Sequence, residues 1–273
     1  MTIGIIGQGF VGNAVYKKFS KFFQVLTYDI NSSLCNSSFE KIKEFCNVVF
    51  ICVPTPMNTD GSCDISIVES VIKKFNDAKS VILVNKSTVI PGTTERLNSI
   101  YKKNQIIFNP EFLTERNAIE DYENQERIIL GGPRPATTLV KNIFSKVFPQ
   151  SVIIKTGSTH AEMIKYFTNS FLATKVSFAN EIYQLCEKLN LDYDKVIEYS
   201  TYDKRIGNSH LSVPGPDGDL GFGGHCFPKD LSALIYLTDK LGTVNNILKS
   251  TKETNDAVRS LRDWEKMKGR AVN

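Results

Sequence analysis

No apolar run in the 273-residue sequence approaches the ~18 residues that a membrane span requires, and the opening MTIGIIGQGFVG lacks the basic start and long apolar stretch of a signal peptide. No membrane partner is expected, and the cytoplasm is the expected compartment. The six cysteines, Cys35, Cys46, Cys52, Cys63, Cys186 and Cys226, form no CxxC pair and follow no regular spacing. That argues against a zinc site or a disulfide framework and suits free thiols in a reducing compartment. Neither charge sign dominates: 33 basic against 29 acidic residues leave +4, without a long basic run, so charge makes no case for a nucleic-acid partner. Glycine (17) and proline (10) are near ordinary levels, with 41% hydrophobic and 23% charged residues, which excludes collagen-like, low-complexity and disordered chains. There is no internal repeat, and the length suits one large domain or two modest ones.

What is present is an alternation. Short apolar runs at 3–6, 25–28, 48–53, 81–84, 106–108, 128–130 and 152–154 are separated by amphipathic stretches. This predicts an α/β fold, a doubly wound parallel sheet with helices on both faces. The pattern changes near residue 157. Ile164, Phe167, Phe171, Phe178, Ile182, Leu185 and Leu189 recur three, four or seven residues apart without Gly or Pro, which predicts one long helix over 158–190. A shorter helix is expected at 193–200, a Gly- and Pro-rich loop over 205–228, and helices at 231–241 and 244–262. The expected division is a Rossmann domain over 1–156, a helical region carrying a reactive cysteine over 157–258, and a tail over 259–273.

Two motifs carry chemistry. GQGFVG places Gly7, Gly9 and Gly12 directly after an apolar strand and before a helical stretch at 14–22, where glycines permit a tight turn and close backbone approach to a pyrophosphate. Asp29 follows Gly12 by 17 residues at the end of the second strand, near where an acid bonds a ribose 2′-hydroxyl. No Lys or Arg follows within 30–34 to welcome a 2′-phosphate, so NAD is expected rather than NADP. The second motif is GFGGHCFPKD at 221–230. Cys226 follows a Gly-rich loop and precedes a helix expected to start at Pro228, so the helix dipole and Lys229 favour its thiolate, as nucleophilic catalysis requires. Cys52, within a strand, and Cys186, within the long helix, read as buried and inert.

Taken in order, GQGFVG, VPTP (53–56), STVIPGT (87–93), NPEFLTE (109–115), AEMIKYFTNSFLATKVSFANE (161–181), RIG (205–207) and GFGGHCFPKD resemble the UDP-glucose 6-dehydrogenase family, within the wider UDP-glucose/GDP-mannose dehydrogenases. The likeness runs through nearly the whole chain. It implies an NAD-dependent, four-electron oxidation of the 6-hydroxymethyl group of a nucleotide sugar, above all UDP-glucose to UDP-glucuronate. Cys226 matches the nucleophile that adds to the intermediate aldehyde and carries the thioester. Lys165 and Asn169 match a pair that stabilises an oxyanion, and their spacing of four sets both on one helical face. Glu115 matches the base or water activator, Thr88 a residue holding an active-site water, and Asp230 a partner to the base network. The cofactor contacts implied are Gly7, Gly9, Phe10, Val11, Gly12, Asp29, Val53, Pro54, Thr55, Thr88, Glu115 and Lys229. Those implied for the sugar nucleotide are Glu111, Phe112, Leu113, Lys165, Asn169, Arg205, Phe222, Gly223 and Cys226. No metal is implied. A homodimer through the central helix is, and Arg205 matches an arginine that reaches the neighbouring subunit's sugar.

Three features depart from the family pattern. His225 stands where many UDP-glucose enzymes carry Ser and where some N-acetylhexosamine-type relatives carry His, so the sugar is less firmly implied than the fold, with UDP-N-acetylhexosamine or GDP-mannose as alternative substrates. The 209–220 loop is several residues longer than usual. Relatives also continue into a further domain that holds the uridine diphosphate, whereas this chain stops at Asn273. The alternatives this opens are a separate UDP-binding chain as partner, a chain that is a fragment, weak sugar-nucleotide binding by the short form, or a non-catalytic NAD-binding, dimerising remnant. An ordinary hydroxyacid dehydrogenase also sets Lys and Asn on its central helix but has no use for the GFGGxC cysteine.

Overall fold

The computed structural model describes residues 1–77 and 79–273. Its contacts divide it into two compact units, residues 1–55 with 65–165 and residues 56–64 with 166–273.

The first unit is built on a seven-stranded sheet in the order β2-β1-β3-β4-β5-β6-β7. The strands are β1 (Thr2–Ile6), β2 (Gln24–Tyr28), β3 (Val48–Ile51), β4 (Ile82–Asn85), β5 (Gln105–Phe108), β6 (Arg127–Gly131) and β7 (Val152–Thr156). The helices are α1 (Phe10–Phe19), α2 (Phe39–Phe45), α3 (Ser66–Lys73), α4 (Thr93–Ile100), α5 (Ala118–Glu123) and α6 (Arg134–Val147). All four residues of β3 are buried. Val48 and Phe50 join one apolar cluster, with Phe19 and Phe144; Val49 and Ile51 join another, with Ile72 and Leu83. Alternation at a period of two explains why a strand covered on both faces reads as a continuous apolar run. The sheet departs from the all-parallel expectation at one place, since β5 and β6 pair antiparallel through Phe108 and Gly131 while β6 and β7 are parallel. The connection after β5 holds only the six-residue α5, which packs against α1 and does not carry the chain back along the sheet as a crossover helix does.

Helix α7 (Ser158–Leu189) begins in the first unit and continues through the division at Lys165. Glu162, fully buried on its first turns, accepts from the N–H groups of Gly92 (2.7 Å) and Thr94 (2.8 Å) and so satisfies the N-terminus of α4.

The second unit contains the rest of α7, α8 (Tyr193–Ser200), α9 (Cys226–Leu241) and α10 (Asn246–Val258). Two expected limits move. Helix α9 starts at Cys226 rather than Pro228, which puts the cysteine in the first turn itself. Helix α10 stops at Val258 because Arg259 leaves the helix and buries its guanidinium, ion-paired to Asp217 at 2.6 Å, Asp219 at 3.4 Å and Asp263 at 3.5 Å. The long 209–220 loop is thereby pinned to the chain after α10. Residues 267–273 fold back as well: Met57 N–H donates to Ala271 O (2.8 Å) and Asn273 N–H to Met57 O (3.0 Å).

Candidate active site

In the first unit, Gly7 takes φ +90° directly after β1, and its N–H donates to Tyr28 O at 2.9 Å. A Cβ on Gly12 would stand 1.8 Å from the Gly7 carbonyl oxygen, a backbone atom that cannot yield, so the helix can leave the turn this tightly only with glycine there. Gly9 instead faces open space, and α1 begins beside it with no side-chain cap and no acid in its first turn. An open backbone at a helix start is what a pyrophosphate needs. The half-buried Asp29 carboxylate accepts from the N–H of Gln8 in that turn (2.7 Å) and from Asn31 N–H (2.8 Å), which holds the acid against the glycine loop. These residues therefore fit a dinucleotide. Phe10 and Val11 open α1, and Val53, Pro54 and Thr55 follow β3. Val53 O accepts from the Ser87 hydroxyl at 2.7 Å, next to the buried Thr88.

The ends of β4 and β5 carry a buried ionic group. Lys165 donates to Glu111 O (2.6 Å) and Oε1 (2.9 Å), Glu111 Oε2 accepts from Leu113 N–H (2.7 Å), and the Lys165 ammonium lies 5.4 Å from the centre of the Phe112 ring. Burial alone would raise the Glu111 pKa, but Lys165, the Leu113 N–H and Lys86 together hold it below the usual carboxylate value. Glu115 is exposed.

The sequence reading passed over Lys86 and Asn109. Lys86 is 3% exposed and donates to Asn109 Oδ1 (2.8 Å) and O (3.4 Å), with the Tyr122 ring 5.4 Å away. Burial pushes its ammonium down to about 8, against the opposing pull of Glu111. The available signal was a lysine standing at the very end of an apolar strand.

In the second unit, the GFGG loop is held by side chains. Asn255 pairs with both backbone groups of Phe222, accepting from N–H at 2.6 Å and donating to O at 3.1 Å. The Asp263 carboxylate accepts from Gly224 N–H at 3.0 Å. A Cβ on Gly223 would fall 2.2 Å from an Arg259 nitrogen, so the loop passes this buried cation only as glycine. Asn255, Arg259 and Asp263 are thus further residues that the motif reading missed, because their partners are more than 30 residues away in sequence. Half-buried Cys226 follows, its Sγ 3.4 Å from His225 Nε2. Further along the same turn Lys229 donates to Asp230 Oδ1 (2.6 Å), and Asp230 Oδ2 accepts from Asn169 Nδ2 (2.6 Å). Burial would lower the Lys229 pKa, yet Asp230, Cys63 and Cys226 raise it above its ordinary value, so Lys229 is a fixed positive charge beside the thiol. Arg205 is exposed and ion-paired to Asp203, with Nε to Oδ1 at 2.9 Å.

Cys186 is buried in α7 as expected, whereas Cys52 follows β3 instead of lying within it and is half-buried, its thiol pushed up to about 12 by its apolar surroundings. Among the described residues no group of three or more metal-ligating side chains occurs, and no helix is long and apolar enough to cross a membrane.

Residues 32–151 match the NAD binding domain of the UDP-glucose/GDP-mannose dehydrogenase family, and residues 159–257 match its central domain. The solved UDP-glucose dehydrogenase of Pyrobaculum islandicum superposes with a TM-score of 0.86 at 30% identity, over 94% of this chain and 68% of that one. The chain belongs to the UDP-glucose/GDP-mannose dehydrogenase family. It therefore has the NAD-binding, Rossmann-like domain of that family. The UDP-glucose 6-dehydrogenase TuaD of Bacillus subtilis is 36% identical over 222 residues, which are 78% of this chain and 47% of that protein. A GDP-mannose dehydrogenase structure from Pseudomonas aeruginosa is 26% identical with a TM-score of 0.66, over 94% of this chain and 69% of that one. The chain spans about half the length of the curated relatives it matches.

Proposed function

We propose that the chain oxidises the 6-hydroxymethyl group of a nucleotide sugar, UDP-glucose first among them, to the carboxylate, and that Cys226 carries the sugar as a thioester. The observation that supports this most is the setting of Cys226: the first turn of α9, beside the buried Lys229, after a loop braced by Asn255 and Asp263. A helix start and an ammonium both favour negative charge on sulfur. NAD, which the Gly7–Gly12 turn and Asp29 would hold, would supply the two-electron oxidation needed at the alcohol and again at the tetrahedral adduct. The thiolate adds to the aldehyde carbon to make that adduct, Lys165 and Asn169 donate to the oxygen that gains charge, and Glu115 with the Thr88 water delivers the hydroxide that frees the acid and the thiol. Glu111 holds Lys165, and Asp230 holds Asn169.

A homodimer through α7 belongs to the same proposal. Phe167, Phe171, Phe178, Leu185 and Leu189 are each more than half exposed and recur along one stripe of that helix. Arg205 would then serve the neighbouring subunit's sugar. The test is NADH formation from UDP-glucose, UDP-N-acetylhexosamines and GDP-mannose, by the chain and by Cys226→Ser. UDP-glucose should be oxidised fastest, and the variant should form no acid while still binding NADH. A preference for an N-acetylhexosamine would assign the His225 position to that sugar. No turnover with any of them would leave an NAD-binding, dimerising protein.

A further inference from the structure

Two buried ammonium groups clamp one short segment at the end of β5. Lys86 donates to the backbone and side-chain oxygens of Asn109, and Lys165 donates to the backbone and carboxylate oxygens of Glu111, two residues on. Asn109 is fixed in turn, because its Nδ2 donates to Ile129 O at 2.8 Å. The groups that face Lys86 are Cys52 after β3, Glu111 after β5, Tyr122 on α5 and Lys165 on α7. Burial keeps Cys52 and Tyr122 protonated and neutral, so within this set one carboxylate serves two cations. A lone Lys–Glu pair is electrically closed, and its ammonium is a weak donor to a third oxygen; a second cation beside the same carboxylate leaves positive charge to spare.

We propose that Lys86 is a positioning residue for the reaction, holding the Asn109–Glu111 segment and, through its charge, keeping Glu111 from neutralising Lys165, so that Lys165 stays a ready donor to an oxyanion. The functional part rests on the role given to Lys165 under the proposed function; the coupling of the two lysines does not. The coupling is reciprocal, since each charge disfavours the other. As pH rises through the titration of Lys86, its charge disappears and Lys165 becomes the closed partner of Glu111.

The test is 13C NMR of the whole chain labelled at lysine Cε, followed from pH 6 to 11. In the wild-type chain the Lys165 resonance should show a second inflection where Lys86 titrates, and this reading needs no variant to fold. In Lys86→Met that inflection should disappear, and it should be absent from Lys86→Arg as well, whose charge persists across this range. A Lys165 resonance with no inflection where Lys86 titrates, or one that keeps that inflection in Lys86→Met, overturns the proposal. The kcat profile separates the two readings. Turnover whose alkaline limb is the same in wild type and Lys86→Met would also overturn the role of Lys86 while leaving the dehydrogenase reading standing.

Discussion

The Lys165–Glu111 pair makes an asymmetric prediction. Glu111→Gln removes the one carboxylate that Lys86 and Lys165 share, leaving two buried ammonium groups without it, whereas Lys165→Met leaves Glu111 with the Leu113 N–H and with Lys86. Breaking a buried pair so as to strand a charge costs about 3–5 kcal/mol. Losing a partner while other donors remain costs about 1–3 kcal/mol. Glu111→Gln should therefore be the more destabilising change. Its cost should also depend on pH, since Glu111 raises the Lys86 pKa and its loss drops that pKa below about 8. The folded variant then sheds the Lys86 proton while the unfolded chain still holds it, so the variant's stability rises with pH. Urea unfolding followed by circular dichroism at pH 6.5 and pH 9 measures both effects. A Lys165→Met cost equal to or above that of Glu111→Gln, or a Glu111→Gln cost independent of pH, would refute the reasoning.

Further outcomes follow from other parts of the structure. Gly12→Ala, whose methyl would meet the Gly7 carbonyl oxygen, should abolish NADH binding in a fluorescence titration; wild-type binding would contradict the packing argument. NADH should bind more tightly than NADPH because Asp29 repels a 2′-phosphate, and Asp29→Ala should narrow the gap. Arg259→Met would leave Asp217, Asp219 and Asp263 without their shared cation and should lower stability, read as a fall in melting temperature. The Lys86 pKa, depressed from 10.5 to about 8, means that the unfolded state binds its proton between those values while the folded state does not. Wild-type stability should therefore carry a rising contribution from pH 8 towards 10.5, absent from Lys86→Met, as paired urea series would show.

Much of this architecture was legible because it is local. The strands are short apolar runs, and α7 is a 32-residue amphipathic pattern without a breaker. The glycine turn and its acid are likewise close in sequence, and Gln8 N–H meets Asp29 across 21 residues of one βαβ turn. The antiparallel entry of β6 was not legible, because strand polarity depends on where α5 packs rather than on the pattern of β6 itself. Nor were the braces of the cysteine loop. Asn255, Arg259 and Asp263 look like ordinary polar residues at a helix end, and only the fold brings them to Phe222 and Gly224, 33 and 39 residues away. The start of α9 was placed two residues late because Pro228 suggests a first helical position, whereas proline is tolerated throughout the first turn, where no N–H is needed.

The central claim is that Cys226 makes this chain a two-step dehydrogenase, and NADH stoichiometry tests it most directly. With limiting UDP-glucose and excess NAD, the NADH formed is read by absorbance and the sugar acid by chromatography. The account predicts two NADH for each UDP-glucuronate, with no free aldehyde accumulating, and neither product from Cys226→Ser. One NADH per sugar with aldehyde as the end product, or an unchanged acid yield from Cys226→Ser, would contradict it.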